Sequence, residues 1–167
     1  MNGDPGLDPR AEERIASLRL VEHPEGGWYR EIFRSDHRVV PADGRGERAG
    51  LSVILFLLAT GERSRWHTLR SDEQWTHLDG DPLELWAADV ESGHRDRHVL
   101  GPAERGGRPT VVVRAGVWQA ARALGAYSLV TCTVGPGFAF EDFRFLSDDV
   151  AAAARLRGLW PDAGHFL

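Results

Sequence analysis

No run of about twenty apolar residues occurs anywhere in the 167-residue chain, which excludes a membrane-crossing helix. The N-terminus, with Asp4, Asp8, Glu12 and Glu13, has neither the basic start nor the apolar centre of a secretory signal, so a cytoplasmic protein is expected. No basic block follows a phosphate backbone: 20 basic residues are scattered among 25 acidic ones, which argues against nucleic acid as a partner. There is one cysteine, Cys132, and hence no internal disulfide. It lies in the apolar run Ser128 to Val134 and reads as a small core residue rather than a nucleophile. Internal repeats, low-complexity tracts and linkers are missing too, and the length suits one domain that buries roughly two-thirds of its unfolded surface.

What is present is a series of short strand-like runs. Residues 1–10, with Gly3, Pro5, Gly6 and Pro9, are expected to be a flexible N-terminus, and 11–167 a single domain. A helix begins after Asp8, a capping residue followed by Pro9 in the first turn, with Ile15, Leu18 and Leu20 as a narrow apolar stripe. Strands are predicted at Trp28–Arg34, Leu51–Ala59, Trp66–Thr68, Gln74–Leu78, Leu83–Val90, His94–Leu100, Thr110–Val113, Gln119–Ala121 and Ala126–Val134, with Gly, Pro or Asp at nearly every junction. The Gly26-Gly27 pair ahead of the first strand implies a tight turn or a close backbone approach. Residues 37–50 lack periodicity and read as a polar loop. A second helix is expected over Ser147–Arg157, capped by Ser147 or Asp148 and ended by Gly158 and Pro161. Many short strands with a helix at each end mean an all-β sandwich or barrel.

Gly61 to Gly80 carries the residues that can do chemistry. Between two apolar runs, Glu73, Trp75 and His77 share one face of an extended chain, because successive strand residues point to opposite sides. With His67 nearby, this face offers carboxylate and imidazole groups for acid–base work or metal binding. Trp75 is expected as an aromatic wall, while Ser64, Arg30 and Arg34 are candidates for a polar or anionic part of a ligand. Trp118 and Phe138 are further candidate pocket walls, each with an alternative reading as core.

Gly61, His67, Glu73 and Gly80 occupy four positions of the first cupin motif, with Leu69 where that motif has a second histidine. The second motif resembles Arg114-Ala115-Gly116-Val117-Trp118-Gln119, with Gln119 where the last metal ligand stands. The blocks His23 to Glu31, Ser71 to Trp75, Gly80 to Leu83 and Cys132 to Phe138 are similar to a family of small single-domain cupins long catalogued as of unknown function (cupin family 5), over roughly residues 23–145. Thr76 stands where members of that family carry a histidine, and His77 follows it.

The resemblance implies a double-stranded β-helix, or jelly-roll barrel, that binds a small molecule. By analogy with metal-independent sugar-nucleotide epimerases of the superfamily, it implies a sugar-like substrate, a nucleotide sugar among the candidates. His67 is then the base, oriented by Glu73, and Tyr29 or His77 returns the proton. A second reading places a divalent metal (Fe, Mn, Ni or Zn) on His67, Glu73, His77 and Gln119, as in a dioxygenase, isomerase or lyase; a third is a ligand sensor without catalysis. Cupins in general imply a homodimer.

Overall fold

The computed structural model describes residues 6–162, so the first five residues of the expected flexible N-terminus and the last five of the chain lie outside the described residues. In chain order the elements are α1 (Pro9–Leu18), β1 (Val21–Glu22), β2 (Trp28–Arg34), β3 (Arg38–Val39), β4 (Arg48–Ala49), β5 (Ser52–Ala59), β6 (Arg63–Leu69), β7 (Asp72–Gly80), β8 (Leu83–Asp89), β9 (His94–Leu100), β10 (Thr110–Val113), β11 (Trp118–Ala123), β12 (Tyr127–Gly135), β13 (Phe143–Phe145) and α2 (Val150–Leu159). A six-stranded sheet in the order β1-β2-β5-β12-β7-β10 faces a five-stranded sheet in the order β13-β6-β11-β8-β9, and β3 and β4 form a separate ribbon. Every pairing between these strands is antiparallel. The mostly β architecture read from the strand spacing, and the jelly-roll barrel that the resemblance implies, are the architecture observed.

Side-chain alternation divides the interior into three clusters. Phe56 and Leu58 of β5, Trp75 of β7, Leu83 and Leu85 of β8, and Val130 and Cys132 of β12 fill the space between the sheets. The alternate residues of β5 and β12, Leu55, Leu57 and Leu129, point outward and are covered by Ala11, Ile15 and Leu18 of α1. On the other sheet, Trp86, Ala88, Trp118 and Ala120 point outward beneath Ala152, Ala153 and Leu156 of α2. Each helix therefore covers the outer face of one sheet, which explains why β5 and β8 are buried on both faces rather than alternating. Helix α1 begins where expected, the Asp8 carboxylate accepting from the Arg10 N–H at 2.9 Å. Among the described residues no helix is long and apolar enough to cross a membrane.

Three expectations are corrected. The polar segment 37–50 holds the β3–β4 ribbon, closed by the Arg38–Glu47 pair at 2.8 Å and tied to the body by Arg48, whose guanidinium meets Asp142 at 2.8 Å. Its order comes from ion pairs, which leave no hydrophobic period in the sequence. Helix α2 starts later than expected: Leu146–Asp148 is a 3-10 turn, and Asp149, not Ser147 or Asp148, caps the helix through the Ala152 N–H. Gly158 sits inside its last turn and the helix runs on to Leu159.

Candidate functional site

One bulge places two of the site's side chains. Opposite β11, Gln119 pairs with His67 but Ala121 pairs with Ser64, so Arg65 and Trp66 together face a single residue. The extra residue restores the inward parity of both Ser64 and His67 while Trp66 turns outward under α2. It also brings the Arg65 carbonyl to 2.8 Å from His67 Nδ1. On β7, Glu73 and Trp75 point inward and are buried, as the period of two requires.

The protonation pattern follows from one donor. The Trp75 indole N–H can only donate, and it donates to Gln119 Oε1 at 3.0 Å. The Gln119 NH2 group must then face the other way, where it donates to His67 Nε2 at 3.0 Å and to a Glu73 oxygen at short range. His67 Nε2 is therefore the lone-pair nitrogen. Nδ1 carries the hydrogen, directed at the Arg65 carbonyl and at Glu25 Oε2, 3.1 Å away. Burial lowers the His67 pKa, against the pull of Glu73, so this tautomer is neutral.

Glu25 is the residue that sequence reasoning missed. It enters the barrel on the turn His23–Gly27, and two glycines make this possible. A Cβ on Gly26 (φ +108°) would stand 2.1 Å from the Arg63 carbonyl oxygen, and one on Gly27 (φ +74°) 2.6 Å from that of Leu57. The Arg65 N–H, donating to the Glu25 carbonyl at 3.0 Å, and the Arg65 guanidinium, donating to the Pro24 carbonyl at 2.7 Å, clamp the turn onto β6. The available signal was the charged residue in His23-Pro24-Glu25-Gly26-Gly27, whose glycines had already announced a close approach.

Glu25, His67 and Glu73 line one side of a cavity of about 150 Å³ between the sheets, with His23, Tyr29 and Cys132 beside them. Phe138, Phe140 and Phe143 add an aromatic wall that adjoins His67, Phe143 stacking on the imidazole ring with centroids 5.3 Å apart and Phe140 exposed at the surface. Burial pushes the Glu25 carboxyl up to about 8, the Ser64 hydroxyl and the Arg65 charge acting weakly the other way. Burial likewise raises Glu73 to about 7, with His67 opposing and the negative charge of Glu25 adding to the rise. His23, largely buried and near His67, falls to about 4, and burial next to both carboxylates pushes the Cys132 thiol well up. The thiol stays protonated, in keeping with its reading as core.

Of the other candidates, Tyr29, Arg34 and Phe138 line the cavity. Ser64 lies buried beside Glu25. Trp75 is core and a hydrogen-bond donor rather than a wall, and Trp118 packs under α2 on the far side of its sheet. Arg30 is absent from the lining, since strand alternation turns it away from the face that carries Tyr29 and Glu31. His77 is separated from Glu73 along β7 by the buried Trp75 and engages the Asp81 carbonyl at 3.1 Å.

The side chains as they stand do not fit the expected metal set of His67, Glu73, His77 and Gln119. The Gln119 oxygen is taken by Trp75, its NH2 group occupies the space between His67 and Glu73, and His77 is elsewhere. Among the described residues no three His, Cys, Asp or Glu side chains converge as a metal site.

A family model described as Cupin superfamily (DUF985) matches residues 12–146. Two solved structures resemble the chain along nearly its whole length. A hypothetical protein from Leishmania major is 33% identical with a TM-score of 0.77, over 90% of this chain and 92% of that one. A protein from Shewanella oneidensis is 33% identical with a TM-score of 0.80, over 93% and 96%. Oxalate decarboxylase from Bacillus subtilis, described with Mn(II) centres, aligns with 78% of this chain and 31% of its own at 15% identity and a TM-score of 0.55, a likeness of fold alone. No curated protein matches the sequence.

Proposed function

The chain belongs to the Cupin superfamily (DUF985) family, and from that premise we propose that it is a small-molecule enzyme that moves a proton on a polar, sugar-like or carbonyl compound. The observation behind this reading is the pair of buried carboxyl groups, Glu73 near 7 and Glu25 near 8, on either side of a neutral imidazole in one cavity. General acid–base catalysis is most effective when the group titrates near the working pH. Near neutrality Glu73 is substantially ionised and Glu25 largely protonated, so the two environments divide the roles of base and acid.

In such a reaction Glu73 takes the proton from the carbon next to a carbonyl, while Glu25 gives its proton to the carbonyl oxygen. The electron pair of the broken C–H bond becomes the double bond of an enol, an enediol where a hydroxyl is adjacent. A proton then returns to carbon while Glu25 takes one back from oxygen: from the adjacent hydroxyl when the neighbouring carbon is protonated (isomerisation), or from the original oxygen when the same carbon is protonated (epimerisation). His67 changes role relative to the sequence expectation: its lone pair faces the Gln119 amide, so it holds the two carboxyl groups in place instead of acting as the base. Tyr29, in the lining, remains a candidate for returning the proton.

The test is deuterium incorporation from solvent into a panel of small aldoses, ketoses and their amino-substituted counterparts, followed by proton NMR. Wild type is expected to exchange a carbon-bound hydrogen of at least one compound, with a loss of about 10²-fold or more in Glu73→Gln and Glu25→Gln. Exchange that persists undiminished in the doubly substituted protein sinks the assignment.

A further inference from the structure

The charge of the cavity carries a conclusion about its ligand that is separate from any reaction. Three carboxylates, Glu25, Glu31 and Glu73, line it, against one guanidinium, Arg34. That guanidinium is already consumed: its Nε and Nη2 donate to Glu31 at 2.9 and 2.6 Å, and its Nη1 donates to the Phe138 carbonyl at 3.0 Å. Arg65, the other nearby cation, lies outside the lining, its guanidinium bonded to Pro24 and placed over the Phe145 ring at 4.3 Å. The imidazole between the carboxylates is held neutral by the fixed tautomer of His67. His23, whose Nδ1 lies 3.8 Å from Glu25, is likewise held neutral by burial, so among the described residues the cavity provides no positive charge for Glu25 or Glu73, only 5% and 6% exposed. A buried carboxyl group without a partner keeps its proton, and a cation entering the cavity lets it ionise.

The aromatic part of the lining suits a cation equally. Phe138 meets Phe140 edge-on with centroids 5.1 Å apart and Phe143 at 6.1 Å, so the three rings form one aromatic cluster in the lining. The faces of aromatic rings attract ammonium and guanidinium groups. A cavity of about 150 Å³ is the size that holds a benzene-sized body of roughly six heavy atoms, too small for a nucleotide sugar to enter whole.

We infer that the ligand of this cavity is a small organic monocation, a primary or substituted ammonium, whose charge is met by Glu25 and Glu73 and whose apolar body lies against Phe138, Phe140 and Phe143. The inference shares with the acid–base reading only the premise that this cavity is the ligand site. The mutual repulsion of the two carboxyl groups, which contributes to the raised Glu73 value, is what a bound cation relieves. An anionic ligand meets the opposite situation.

The experiment is an NMR titration of the full chain with three probes of one shape, butylammonium, butan-1-ol and butyrate, read on the indole N–H of Trp75, which reports through Gln119 on both His67 and Glu73. Butylammonium is expected to bind at least about tenfold more tightly than butan-1-ol, with no saturable response to butyrate. Glu25→Gln and Glu73→Gln, which keep shape and remove charge, are each expected to reduce that preference severalfold. Butan-1-ol or butyrate binding as tightly as butylammonium, no response to butylammonium at millimolar concentration, or a preference unchanged in both variants overturns the inference. A protein that shows the preference but exchanges no substrate hydrogen refutes the acid–base reading and leaves this one intact; exchange without the preference does the reverse.

Discussion

At the scale of single residues, the site is ordered by one indole. Trp75 fixes the Gln119 amide, the amide fixes the lone pair of His67, and the histidine's remaining hydrogen reaches Glu25. A Gln119→Leu substitution keeps most of the volume and removes the relay. The Trp75 N–H is left buried without an acceptor, and the protein is expected to lose roughly 1–3 kcal/mol of stability in a urea titration. The Gln119 hydrogen bond favours the ionised form of Glu73, so its loss should also raise the Glu73 pKa further, visible as an upward shift in a carbon-13 titration of that carboxyl. A Glu73 titration that stays where it was would show that the amide does not reach the carboxylate.

At the scale of elements, most strands are legible from an apolar face and a turn residue at each end, and the polar His94–Leu100 from the turns that bound it; Trp28–Arg34, His94–Leu100 and Thr110–Val113 have the observed limits. The β3–β4 ribbon was not, since the Arg38–Glu47 and Arg48–Asp142 pairs that order it have no period. The motif residues His67 and Glu73 could be found by their spacing, but Glu25 could not, because it arrives from another part of the chain on a turn whose geometry only the packed barrel reveals. Nor could the bulge at Arg65 and Trp66, which depends on the partner strand. The turn gives the test at this scale. Gly26→Ala puts a methyl group 2.1 Å from the Arg63 carbonyl oxygen at a φ of +108°, so the turn must shift and Glu25 with it. Gly44→Ala, also at positive φ but with nothing within 4 Å, incurs only the local backbone strain. The expected ranking is a loss of about 3 kcal/mol or more for Gly26→Ala and about 1 kcal/mol for Gly44→Ala in denaturant unfolding. Equal losses would mean that the turn is not pressed against β6 as described.

For the whole molecule, the buried carboxyl groups set the dependence of stability on pH, and the sign is opposite to that of an ordinary surface carboxylate. Glu25 rises from 4.5 to about 8 and Glu73 from 4.5 to about 7, so between those values the folded chain holds protons that the unfolded chain has released. Stability is then fully present below the unfolded value and falls as pH rises through the folded one. His23, lowered from 6.5 to about 4, acts in the reverse sense: the unfolded chain binds its proton first, and stability is lost as pH falls below 6.5. His67, also lowered, and the ion-paired Asp79 and Asp142, lowered by Arg14 and Arg48, join it on the acid side. The two families of groups oppose each other below about 6.5, but between 6.5 and 8 the carboxyls act with little opposition. Over that interval the linkage amounts to at most about 3 kcal/mol, at roughly 1.4 kcal/mol for each pH unit and group. Thermal unfolding should therefore show a melting temperature that declines from pH 6.5 to pH 8, the reverse of what loss of surface ion pairs gives. Glu25→Gln should remove most of the decline above pH 7, because the amide cannot ionise, and leave the variant more stable than wild type at pH 8. A flat or rising wild-type profile over this interval would mean that the two carboxyl groups are better solvated, or better paired, than the closed barrel implies.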